Sequence, residues 1–126
     1  MSTTGAMTFI YRVQDATGRG PWRPGFSHLW IDEHAPVGRL SETVMDLVPL
    51  AVLRALPTDR HYGCGCRTMA ALREWFTPAE RLRLTALGFD PVRLRVDQIL
   101  AESDWQMFFS RTRPLWSGAS VHRWDA

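Results

Sequence analysis

The chain contains no lysine: all fifteen basic residues are arginine. Every cation is therefore a planar fork, suited to bidentate pairing with a carboxylate or a phosphate. A large charge excess is also missing. The formal net charge of +2 is too small to argue for nucleic-acid binding by itself, and it excludes an acidic mimic of DNA. Only two cysteines occur, Cys64 and Cys66; a bridge between them would be strained, and a reducing compartment disfavours it. Nothing approaches the roughly 20 consecutive apolar residues that span a bilayer. The opening MSTTGAMTF lacks the basic region and apolar core of a signal peptide. These absences lead to the expectation of a cytoplasmic protein with no membrane partner. No internal repeat and no low-complexity segment interrupts the chain.

What is present is ordinary in amount and uneven in kind. With 126 residues, 45% of them apolar, the chain is expected to form one domain over 1–126, with residues 1–7 as a flexible lead. A chain of this length buries roughly two-thirds of its unfolded surface and needs no staple. Six tryptophans are more than a core of this size uses, which places several of them at a site or an interface.

The order of elements reads as α+β, a small mixed or antiparallel sheet with three to four short helices. TFIYRV (8–13) is rich in β-branched and aromatic residues and reads as a strand. If Ile10 faces the core, Arg12 faces the same way, an expensive place for an unpaired charge. A loop at 14–25, the run FSHLWI and a polar loop at 32–41 follow. Ser41 with Glu42 predicts a helix start, and Pro49 predicts a kink or two short helices. HYGCGC reads as a short strand or extended turn, and TMAALREWF as one helix. In TPAE, Thr77, Pro78 and Glu80 match a capping box with proline at the first helical position, and Gly88 marks the helix end. PVRLRVDQIL and WQMFFSRTRPLW read as two more strands, the first half-exposed because Val92, Leu94 and Val96 alternate with Arg93, Arg95 and Asp97.

Four groups of residues carry possible chemistry. His61, Cys64 and Cys66 are zinc-ligand types, but C-x-C is not the usual C-x2-C, and a fourth ligand would have to come from His28, His34 or His122. Two small cysteines packed on one strand face are the plain alternative, and no metal is expected. The same cysteines with His61 could form a thiolate pair, although no third orienting group is evident. TGRGPWRPGF (17–26) offers Gly18, Gly20 and Gly25 for close backbone approach and Arg19 and Arg23 for phosphate; an exposed connection with solvated arginines explains it equally. In ILAESDWQMFF, Glu102 and Asp104 share a face if the segment is extended and Gln106 continues it. Such a row could hold a ribose hydroxyl or steady a cationic transition state, and a polar turn capped by Ser103 and Asp104 is the alternative.

FIYRVQD followed by GFSHLW resembles the opening of ADP-ribosyltransferases of the bacterial-toxin type, in Tyr11, Arg12, Asp15, Gly25 and Phe26. The resemblance implies an ADP-ribosyltransferase-like sheet and a cleft for NAD, in which Arg12 holds the dinucleotide phosphates. It places Arg19, Arg23 and Trp22 along the wall of that cleft, with Trp22 or Trp30 stacking on a ring. It also implies an acidic residue two before a catalytic glutamate. Here Asp104 would be followed by Gln106, Glu102 would serve only in a shifted register, and the family's middle Ser-Thr-Ser element is missing. HYGCGCRTMAALREWF with the later ESDWQ also looks like small phage and mobile-element proteins. The expectation is therefore a transferase acting on a macromolecular target, with two alternatives: a non-catalytic effector that docks a host protein or nucleic acid through arginine and tryptophan, or a small zinc module. For the effector, RTRPLWSGASVHRW is the exposed candidate.

Overall fold

The computed structural model describes residues 8–21 and 44–125. Within them the chain is α+β: two three-stranded antiparallel sheets and four short helices rather than one sheet. β1 (Thr8–Gln14), β3 (Asp90–Val96) and β6 (Ser120–Val121) form the first sheet, with β1 paired to β3 and β3 to β6. β2 (His61–Gly65), β5 (Met107–Arg111) and β4 (Gln98–Glu102) form the second, with β5 central.

PVRLRVDQIL is two strands where the alternation predicts one. Asp97 is the single residue between β3 and β4, and there the chain crosses from one sheet to the other. Its N–H donates to the Ser110 carbonyl at 3.1 Å and its carboxylate accepts from the Thr112 N–H at 2.7 Å. Arg60 Nη2 lies 3.5 Å from the same carboxylate. These bonds hold the corner that period-2 patterning cannot signal. The second predicted strand is also shorter than expected: after Arg111 the chain turns through Pro114 and Gly118, the latter at φ +71°.

The inner faces of the sheets meet in one apolar cluster of Ile10, Leu94, Val96, Met107 and Phe109. The opposite face of β1 contributes Val13, with Tyr11 packed nearby, to a second cluster under the helices: Cys66, Met69, Leu72, Trp75, Phe76, Leu84 and Phe89. A bridge between Tyr11 and Cys66, with N–H to carbonyl distances of 2.7 and 2.8 Å, ties the two sheets together.

The helices follow their local signals. Pro49 separates α1 (Val44–Leu47) from α2 (Leu50–Arg54), as a residue lacking an N–H should. α3 (Met69–Arg73) is capped by the Thr68 hydroxyl, which accepts from Ala71 N–H at 3.0 Å. It stops short of the predicted TMAALREWF because Trp75 and Phe76 turn into the core. α4 (Pro78–Ala86) has both halves of its capping box, Thr77 N–H to Glu80 Oε1 at 2.8 Å and Glu80 N–H to Thr77 Oγ1 at 3.2 Å. Gly88, at φ +90°, closes it. The expected start at Ser41 and Glu42, and the run FSHLWI, lie outside the described residues.

Candidate functional site

Strand alternation aims Arg12 and Ile10 into the space between the sheets, as the sequence implies. Arg12 sits at the level of Gly63 and Phe109, which are paired across β2 and β5. Its Cζ lies 5.9 Å from the centre of the Phe109 ring. A Cβ added at Gly63 would overlap Arg12 Nη1, and one added at Gly20 would stand 3.0 Å from Nη2. Two glycines thus make the room the guanidinium occupies. Arg12 keeps some of its surface, but Nε and Nη1 are sealed from solvent and make no hydrogen bond. Burial lowers the pKa of this guanidinium to about 10, opposed only by the nearby Cys64. Two residues along the same strand face, Gln14 donates from Nε2 to the Leu115 carbonyl at 2.9 Å and leaves Oε1 sealed and unbonded.

Other residues predicted for the cleft are employed elsewhere. The Asp15 carboxylate organises the loop that follows β1, accepting from Thr17 N–H at 2.9 Å, the Thr17 hydroxyl at 2.6 Å and Arg19 N–H at 3.0 Å. Partial burial opposes ionisation, yet these bonds hold the carboxyl below its ordinary value. Tyr11 is directed to the helical side and meets His122 edge to face at 5.5 Å. Gly18, at φ +89°, brings the Asp15 loop against a second turn; an added Cβ would stand 3.0 Å from Leu115 Cβ and from Trp116 N. Trp22, Arg23, Gly25, Phe26, Trp30, His28 and His34 lie outside the described residues.

The acidic row is not formed. Glu102 ends β4, and its carboxylate takes both forks of Arg67, at 2.6 Å each, on the exposed rim. Hydrogen bonding from Arg67 lowers its pKa. Residues 103–106 turn rather than extend: the Ser103 hydroxyl accepts from Trp105 N–H at 3.1 Å and Gln106 N–H at 3.3 Å, and Ser103 N–H donates to the Gln106 carbonyl at 2.9 Å. Glu102, Asp104 and Gln106 therefore do not line one face opposite Arg12; the polar-turn alternative describes this segment, with Ser103 as its cap.

The cysteine cluster is divided as well. Period-2 geometry sends His61 and Cys64 to opposite faces of β2. Cys66 is buried at the Tyr11 bridge, its Sγ 3.6 Å from the Trp105 carbonyl. Burial pushes its thiol up to about 12, against the lowering effect of Trp75. Among the described residues no group of three or more His, Cys, Asp or Glu could hold a metal ion.

The site that composition alone could not place is the turn at Pro114–Gly118. Trp116 projects from it with 58% of its surface exposed. Ser117 N–H donates to the Pro114 carbonyl at 2.9 Å, Arg111 Nη2 to the Ser117 carbonyl at 2.6 Å, and Arg113 Nη2 to the Ser117 hydroxyl at 2.5 Å. The turn is thus pinned from behind while Trp116 and Arg113 face solvent. Val121 and Arg123 of the predicted exposed tail are exposed as well, but Trp124 is docked. Trp124 meets Phe76 edge to face at 5.6 Å and lies 5.7 Å from the Arg81 Cζ, and its carbonyl accepts from Arg73 at 2.8 Å.

No described helix is long and apolar enough to cross a membrane. A family model for the bacteriophage T4 Y00F protein matches residues 1–116, and the chain belongs to that family. No curated protein and no solved structure matches the chain.

Proposed function

We propose that this member of the bacteriophage T4 Y00F family is a non-catalytic phage effector that docks onto a host protein through the Trp116 turn. The observation that carries the reading is a tryptophan, 58% exposed, on a turn whose backbone is held by Gln14 at the Leu115 carbonyl, by Arg111 at the Ser117 carbonyl and by its own Ser117 N–H to Pro114 bond. A large ring presented without slack loses little entropy on binding, and tryptophan beside arginine is the usual composition of an interface anchor. The Asp15 loop abuts the turn at Gly18 and extends the same surface with exposed Thr17 and Arg19. Arginines around the ring favour a partner with acidic groups at the rim of its pocket. The net charge of +2 favours a protein over a nucleic acid, because phosphate-backbone binding draws on many cations at once.

Residues 11–26 remain the support for the finer reading, an ADP-ribosyltransferase using NAD. The disposition of the other residues weighs against it: Glu102 is clamped by Arg67 and Asp15 by its own loop. A carboxylamide at Gln106 cannot act as a general base.

Affinity capture from the phage's bacterial host compares wild type with Trp116→Ala, alongside transfer of label from NAD in the same extract. The expected result is one stoichiometric host protein held by wild type, with affinity at least about tenfold weaker for the variant, the size of a modest anchor residue. Labelled product, stoichiometric nucleic acid in place of protein, or equal capture by both forms would overturn the reading.

A further inference from the structure

We propose that the open face of the first sheet at Phe9, Arg93 and Arg95 is a docking face for an extended acidic segment of a protein partner, distinct from the surface at Trp116. Alternation along β1 and β3 puts Phe9 and Tyr11, with Arg95 and Arg93 paired across from them, on the face that points away from Ile10, Leu94 and Val96. Val13 and Tyr11 pack against the helical cluster at one end of this face. Phe9, at the other end, belongs to neither apolar cluster and is only half-buried. Arg93 Cζ stands 3.7 Å from the centre of the Phe9 ring. Arg95 is exposed beside it. Arg60, Arg67 and Arg123 each have a carboxylate of this chain, from Asp97, Glu102 and Asp125; among the described residues no carboxylate pairs with Arg93 or Arg95.

Stacking on a ring fixes the plane of a guanidinium and leaves its N–H edges free, so Arg93 is pre-organised to take the two oxygens of a carboxylate. Arg95 lies two residues along the same strand, about 7 Å away at the usual rise of about 3.4 Å per residue. Alternate residues of an extended partner repeat at that same spacing, so two acidic residues separated by one other match the two forks. The half-buried Phe9 ring gives apolar contact beside them, and exposed Ser120, paired with Arg93 on β6, adds a hydroxyl at the border. The number of cations selects the class of partner. Phosphate-backbone binding draws on many cations at once. Among the described residues this face carries two arginines, on a chain whose net charge is +2. A protein segment with a pair of carboxylates is neutralised by that set; a nucleic-acid strand is not. The face lies at the other end of β1 from the Asp15 loop that abuts the Trp116 turn, so it does not depend on docking there.

The test follows the Nε–H resonances of Arg93 and Arg95 by NMR while the full-length protein is titrated with a short polythreonine peptide carrying a pair of glutamates one threonine apart. Parallel titrations at matched ionic strength use the same peptide with its glutamates adjacent, on opposite faces of an extended chain, and single-stranded oligothymidylate. The expected result is a saturable shift of both arginines with the spaced peptide, weaker binding of the adjacent one, and affinity about tenfold weaker in Arg95→Gln. The side chain of Arg95 is exposed, so this variant should keep the Tm of wild type. Tighter binding of the oligonucleotide would overturn the assignment in favour of a nucleic-acid face. No saturable response to the peptides, equal binding of the two, or unchanged affinity in Arg95→Gln would overturn it outright. Trp116→Ala should bind the spaced peptide as wild type does, which keeps a failure here distinct from a failure of docking at Trp116. Loss of peptide binding in that variant would move the site to the turn and overturn the assignment.

Discussion

At Arg12 the balance is set by desolvation. Its pKa of about 10 in the folded protein lies below arginine's ordinary value, so the unfolded chain holds the proton more tightly. The sign follows: folding carries this penalty at every pH below about 10, and stability recovers as pH rises from there toward the unfolded value. A shift of this size corresponds to about 3 kcal/mol. Arg12→Met is therefore expected to gain on the order of 2–3 kcal/mol at about pH 8, measured by chemical denaturation, and the gain should narrow at about pH 11. Gly63→Ala runs the other way. Its methyl would overlap Nη1 and stand 3.0 Å from the tip of the Phe109 ring, so it should cost about 1–3 kcal/mol as an overpacked core does. Cys66 gives a third residue-scale outcome. With its thiol pushed up to about 12 and its side chain sealed, it should resist iodoacetamide at about pH 8 in the folded protein and react once the protein is unfolded, as peptide mass spectrometry would report.

Among the elements, α4 is the most self-sufficient. Its reciprocal cap satisfies two N–H groups, and Glu80 is buried while doing so. Thr77→Ala should cost about 1 kcal/mol, whereas Thr77→Ser should be close to neutral, by urea denaturation. The strands behave differently because their limits are set by partners. The end of β3 at Val96 and the start of β4 at Gln98 depend on what Asp97 meets, namely Ser110, Thr112 and Arg60. For that reason the capping box was legible residue by residue, while PVRLRVDQIL read as one strand. The same holds for ESDWQ: an extended row and a tight turn share one sequence, and the Ser103 hydroxyl together with the β4–β5 pairing selects the turn.

For the molecule as a whole, the notable feature is how the chain's end is used. The family match stops at residue 116, yet β6 pairs with β3, His122 N–H donates to the Pro91 carbonyl at 2.8 Å, and Trp124 closes the helical cluster beside Phe76. Trp124→Ala should therefore lower stability by about 2–3 kcal/mol, somewhat less than for a fully buried tryptophan, without altering capture of a partner at Trp116. Loss of partner binding in a stable Trp124→Ala protein would show instead that the docking surface extends to the C-terminal segment.

By itself the sequence determined the α+β class, the break at Pro49, the cap at Thr77, the helix end at Gly88 and the inward direction of Arg12. Each follows from a local rule: a missing N–H, a reciprocal hydrogen bond, a glycine at positive φ, or the period of two along a strand. Tertiary structure alone decided the division into two sheets, the clamp of Arg67 on Glu102, and the choice between the two tail tryptophans, Trp124 packed against the helical cluster and Trp116 left exposed. These depend on which distant groups compete for the same carboxylate, carbonyl or apolar surface, and that competition is resolved only when residues far apart in the chain are brought together.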